Sequence, residues 1–167
     1  MNDAIVERAR KLTRQLETHN PFRIAGYLGI DVEYEDLGGL KGMYLCIKRN
    51  RYIVINNQLD DRLQEIVCAH ELGHDQFHRE MAQDRWLHEF SINNMRQRPE
   101  REANLFASEM LLQDCEVMTL AMGGYTIEQI AGELNTDVNL VALKLDTIRR
   151  DGYEFRQFES RDDFLRW

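Results

Sequence analysis

The three cysteines, Cys46, Cys68 and Cys115, form no C-x-x-C pair, and their number is odd. This argues against a disulfide framework and against a cysteine zinc site. It leaves three small apolar residues suited to a reducing cytosol. No apolar run approaches the roughly 20 residues of a membrane helix. The start, Met1-Asn2-Asp3-Ala4, has no signal-peptide character, so a cytoplasmic location is expected. Positive charge is in short supply as well. Twenty-nine Asp and Glu against 21 Lys and Arg leave a net charge of −8, without the basic footprint of a general nucleic-acid binder. Internal repeats and low-complexity tracts are missing. What is present is 167 residues, 43% of them hydrophobic, which is core enough for one domain with a small helical appendage.

The chain is organised around His70-Glu71-Leu72-Gly73-His74. On a helix, residues four apart share a face, with Cβ atoms about 5–6 Å apart. Two imidazoles at that spacing can each place one nitrogen on a single metal ion. Glu71 is turned by about 100° around the axis, too far for a natural third ligand but well placed to reach a metal-bound water. This is the H-E-x-x-H zinc hydrolase pattern with glutamate as general base. Leu63, Ile66 and Val67 give the same helix an apolar face that packs into a core. Gly73 inside it costs about 1 kcal/mol relative to alanine, which makes sense if another backbone approaches closely. The simpler alternative is a helix bearing two partly exposed histidines and a surface glutamate.

Periodicity places the other elements. Residues 3–18 read as an amphipathic helix with Ile5, Val6, Ala9, Leu12 and Leu16 on one stripe. Asn20 can cap, and Pro21 can open, a helix that ends at Gly29. Val32 to Glu35 alternates as a strand. Met43 to Lys48 and Arg51 to Ile55 read as a hairpin with Lys48-Arg49-Asn50 at its turn, without the strong Asn-Gly signal. The metal helix starts near Asp60-Asp61. Residues 79–98 read as a loop over the site with a helical turn near Trp86-Leu87. Pro99 opens a helix to about Leu112, and Asp114 caps a short helix to Met122. Thr126 and Gln129 form a capping box, and a last helix covers about 137–149. The expected fold is α+β, a short twisted sheet packed on the active-site helix with a helical C-terminal region. The expected domains are 1–122 for the metal-binding unit (core 21–122), 123–150 for a helix-turn-helix-like subdomain, and 151–167 for a tail.

A catalytic zinc usually takes three protein ligands plus water. The metzincin continuation would need Gly and His where Phe77 and Glu80 stand, so that family is excluded. The next helix offers Glu100, Glu102 and Glu109, and spacing alone does not choose between them. Glu100 lies in a first turn, where carboxylates are common because they favour the helix dipole. Glu102, beside Ala103 and four before Phe106, falls at the edge of the buried stripe, where a lone carboxylate needs a partner. His78 shares a face with His74. It is an alternate ligand, a hydrogen-bond donor to substrate, or a histidine stabilised by the helix C-terminus.

Tyr52-Ile53-Val54-Ile55-Asn56, the His70–His74 motif with Phe77-His78, and Glu102-Ala103-Asn104-Leu105-Phe106-Ala107-Ser108-Glu109 together resemble the ImmA/IrrE metallo-endopeptidase family, the ImmA branch most of all. The similarity runs on through Tyr125 to Ala131. It implies a small gluzincin-like domain, a Zn2+ held by His70, His74 and Glu102, and Glu71 as general base. It also implies a helix-turn-helix repressor as substrate, cleaved in the cytosol to derepress a phage or an integrative conjugative element. His78 and Tyr125 are candidates for contacts to substrate or oxyanion. The alternative is a zinc-containing regulator that binds DNA or a repressor without cleaving it, with Lys144, Arg149 and Arg150 at the end of its last helix. The acidic net charge speaks against direct DNA binding.

Overall fold

The structure, a computed structural model, describes residues 2–80 and 98–153. Most of the expected loop, with its turn at Trp86-Leu87, and most of the tail lie outside these residues; Arg98 already belongs to the following helix. In chain order the elements are α1 (Asn2–Leu16), α2 (Pro21–Leu28), β1 (Asp31–Glu35), β2 (Gly42–Ile47), β3 (Asn50–Asn56) and α3 (Asp61–Phe77). Then come α4 (Arg98–Leu111), α5 (Asp114–Met122), α6 (Ile127–Glu133) and α7 (Val138–Arg150). The fold is α+β. Among the described residues no helix is long and apolar enough to cross a membrane.

Local chemistry explains most boundaries. Asn20 accepts from the Arg23 amide at the start of α2, and Pro21 takes the first helical position. Gly29 closes α2 at φ +68°, a left-handed conformation that glycine adopts without a Cβ penalty. Asp60 caps α3 by accepting from Leu63 N–H. Thr126 and Gln129 make the reciprocal capping box of α6, and Asp137 caps α7. At α5 the expectation fails. Gln113 is the N-cap residue and makes no side-chain cap. Asp114 instead turns its carboxylate to Lys144 Nζ at 2.5 Å, because a buried cation outbids a backbone N–H for that acid.

The sheet has order β1-β3-β2, with β1 parallel and β2 antiparallel to β3. Ile47 pairs with Asn50, so the hairpin loop is Lys48-Arg49 alone and Asn50 already belongs to β3. Both loop residues have positive φ, 49° and 73°. A two-residue turn that matches the strand twist requires this conformation, and glycine or asparagine usually supplies it. Ile53, Ile55 and Tyr44 are fully buried and place the sheet against α3.

The other side of α3 packs on α4. A Cβ added at Gly73 would stand 2.8 Å from the Ala103 Cα, so the two backbones meet there as the costly mid-helix glycine suggested. The buried apolar cluster continues without a break from Ile5 on α1 to Ile148 on α7. Helix α7 lies against α4, and Ser108 donates to the Leu140 carbonyl at 2.8 Å.

Candidate metal centre

Helix α3 carries its motif on a buried stretch. His70, Glu71 and His74 are at most 4% exposed. The i, i+4 spacing brings the two Nε2 atoms to 2.9 Å from each other. Glu100 of α4 completes the group: its Oε2 lies 3.4 Å from His70 Nε2 and its Oε1 3.4 Å from His74 Nε2. The three donor groups lie within 4.8 Å of one another.

Each imidazole is oriented from behind. His70 Nδ1 donates to Asn104 Oδ1 at 2.8 Å, which leaves the lone pair on Nε2. Asn104 is one turn beyond Glu100, so a single face of α4 supplies both the carboxylate and the orienting amide. His74 Nδ1 lies 3.2 Å from His78 Nδ1, and His78 Nε2 lies 3.0 Å from Glu102 Oε2. Arg98 Nε donates to the other oxygen of Glu102 at 2.8 Å.

The donor set suits a divalent metal. Two imidazole nitrogens and a carboxylate are the ligand types of a three-ligand catalytic zinc. Glu100 Oε2 is buried and accepts no hydrogen bond from the described residues, a costly arrangement unless a cation satisfies it. Burial, then the neighbouring rings of His70 and His74's other neighbour His78, push the His74 pKa well below the ordinary value, so it stands as a neutral donor. Burial and the charge of Glu100 push the Glu71 carboxyl up to about 8, against the opposing hydrogen bond from the Tyr44 backbone N–H. Without a cation at the site, the Glu71 carboxyl therefore keeps its proton to higher pH than an ordinary carboxyl does.

The third carboxylate differs from the expectation. Glu102 does not face the imidazole pair. Two positions along a helix is a rotation of about 200°, and Glu100, not Glu102, shares the face of Asn104 that looks at His70. Glu102 is spent on His78 and Arg98. Their hydrogen bonds hold its pKa below the usual range although partial burial works the other way. Glu109 lies on Lys144 and Arg10. The signal that could have found Glu100 was Asn104 four residues on, at the place where Gly73 admits α4.

His78 has both ring nitrogens engaged within the chain, as the contacts above show, and is 6% exposed. It backs up His74 rather than opening toward a substrate. Tyr125 stands half-exposed on the link between α5 and α6, helices that pack on α7 and on each other. Asp75, near the end of α3, is buried and accepts from Tyr44 Oη at 2.8 Å, Arg51 at 3.1 Å and Arg79 at 3.2 Å. Arg51 also donates to the Leu28 carbonyl. Asp75 thus bolts α3 to β2, to β3 and to the end of α2.

The model of the IrrE N-terminal-like domain, peptidase M78, matches residues 25–146. The chain is 36% identical over 140 residues to "Uncharacterized immunity region protein 2" of Bacillus phage phi105, covering 81% of this chain and 85% of that one. It is 30% identical over 138 residues to metallopeptidase ImmA of Bacillus subtilis strain 168, covering 78% of each.

Proposed function

The chain belongs to the IrrE N-terminal-like, peptidase M78, family of metallopeptidases, and from that premise we propose that it is a zinc-dependent endopeptidase acting on a helix-turn-helix repressor in the cytoplasm. Cleavage would derepress a phage or an integrative conjugative element. The observation that carries the reading is the convergence of His70, His74 and Glu100 with the protonatable Glu71 beside them. A phage relative called an immunity region protein supports a repressor as the substrate.

His70, His74 and Glu100 are the ligands in this reading. When bound, zinc supplies Lewis-acid polarisation of the scissile carbonyl and an acidified water. Glu71 takes the proton from the attacking water on its carboxylate and passes it to the leaving amine nitrogen. The Tyr44 N–H keeps the Glu71 carboxyl oriented. Strand β2 is an edge of the sheet and its backbone reaches Glu71. A substrate segment added along it would gain main-chain hydrogen bonds beside the base.

The test is incubation with the repressor encoded nearby, with and without a chelator, read by intact mass. Cleavage should need the metal. Glu71→Gln should keep its zinc and reduce cleavage to background, whereas His70→Ala and Glu100→Ala should lose zinc. Retained cleavage by Glu71→Gln would end the general-base assignment. The rival reading as a DNA-binding regulator finds little support in α7. Lys144 is 1% exposed and paired with Glu109, and the cations that α7 turns to solvent are Arg149 and Arg150 at its very end. A time course with excess repressor separates catalysis from stoichiometric capture.

A further inference from the structure

We propose that Glu102 and His78 form a positioning relay that sets the tautomer of His74 and so aims its Nε2 lone pair at the metal position. The proposal rests on the reading of His70, His74 and Glu100 as a metal site. Its starting point is donor chemistry. The Glu102 carboxylate can only accept, and its Oε2 lies 3.0 Å from His78 Nε2, so a neutral His78 carries its proton on Nε2. The Nδ1 of that neutral ring is then an acceptor, 3.2 Å from His74 Nδ1. In this arrangement the His74 proton is on Nδ1, and its Nε2 lone pair lies 2.9 Å from His70 Nε2 and 3.4 Å from Glu100 Oε1.

The relay is built and held. Arg98 Nε fixes the second oxygen of Glu102 at 2.8 Å. His78 caps α3, with its backbone N–H on the His74 carbonyl at 2.8 Å, and its side chain is buried between His74 and Glu102. His70 reaches the same condition by a shorter route, one amide oxygen on its Nδ1. The two imidazoles are thus prepared separately, His70 from α4 alone and His74 through a second histidine. Partners of this kind fix ring orientation and raise ligand basicity, and their loss typically costs about 10–100-fold in metal affinity.

The experiment measures Zn2+ affinity by chelator competition and the His74 tautomer by nitrogen-15 NMR of histidine-labelled, zinc-free protein. In the wild type His74 should carry its proton on Nδ1. Glu102→Leu should weaken zinc binding by about 10–100-fold and give a mixture of His74 tautomers. Glu102→Gln still offers an amide oxygen to His78 Nε2–H and should restore most of both. Should Glu102→Leu fail to fold, His78→Leu removes the relay from its other member, with the same expected loss. Unchanged affinity and an unchanged tautomer in either leucine variant would overturn the relay. So would complete zinc loss in Glu102→Gln to the level of Glu100→Ala, because Glu102 would then be a ligand itself. A wild type that binds no zinc would instead sink the peptidase reading, while the tautomer in zinc-free protein still judges the relay.

Discussion

Helix α4 holds the partly buried Glu100 and the buried Glu109, and these two carboxylates have opposite fates. Nine residues apart, they lie about half a turn away from each other in angle. Each keeps one buried oxygen that accepts no hydrogen bond from the described residues, Oε2 in Glu100 and Oε1 in Glu109. Glu109 meets cations belonging to the chain, Lys144 Nζ at 3.0 Å and Arg10 Nε at 2.9 Å. Those two side chains also reach Asp114, so the cluster staples α1, α4, α5 and α7 together. Glu100 meets two imidazoles, of which His74 is held neutral by burial. Glu109 is neutralised from within and is structural. Glu100, in the proposed metal site, would be completed by a cation from outside.

The comparison can be broken most directly at Lys144. Lys144→Ala should leave Glu109 buried beside a partly exposed Arg10 and lower the unfolding free energy by about 3–5 kcal/mol, measured in urea. Zinc stoichiometry of the folded fraction should not change. Glu100→Ala should show the reverse pattern. Zinc at about 100 times its dissociation constant should stabilise the wild type by about 2.7 kcal/mol, seen as a rise in Tm that chelation removes. The alanine variant should gain nothing from zinc, and a gain equal to wild type would show that Glu100 is no ligand.

A third test uses pH on zinc-free protein. The Glu71 carboxyl is raised to about 8 when folded, above the ordinary carboxyl value. The folded state therefore binds the extra proton between the unfolded pKa and about 8. The contribution of Glu71 is most favourable below that window and falls as pH rises through it. Glu71→Gln should raise the Tm at pH 8.5 and leave it nearly unchanged at pH 4. Equal shifts at both values would remove the titration from the explanation. The smallest effect is expected at Arg10, whose side chain is 28% exposed. Arg10→Gln should cost about 1 kcal/mol, well short of Lys144→Ala, and leave zinc affinity alone.

The readable parts of the sequence were those decided within a few residues. Asn20, Asp60, Thr126 and Gln129 announce helix starts because a cap satisfies backbone donors two or three positions away. His70 and His74 share a face by helical spacing alone. The unreadable parts depend on partners far along the chain. Whether Glu100 or Glu102 faces the imidazoles is a matter of how α4 is rotated, which Ala103 settles by resting on Gly73. Lys144 reads as a surface cation at the end of a helix. Its burial is intelligible only beside Glu109, 35 residues earlier. Asp114 reads as a cap for the same reason, since the charges that claim it are on α1 and α7.

The bare Cα at position 73 sets a ruler for the whole centre. Because no methyl intervenes, α4 lies close enough for a carboxylate as short as glutamate's to span from one helix to nitrogens on the other. Adding that single carbon, as Gly73→Ala, would wedge the helices apart and withdraw Glu100 and Asn104 in one movement. The chemistry of five ionisable or polar side chains would then be lost through a residue that has no side chain at all.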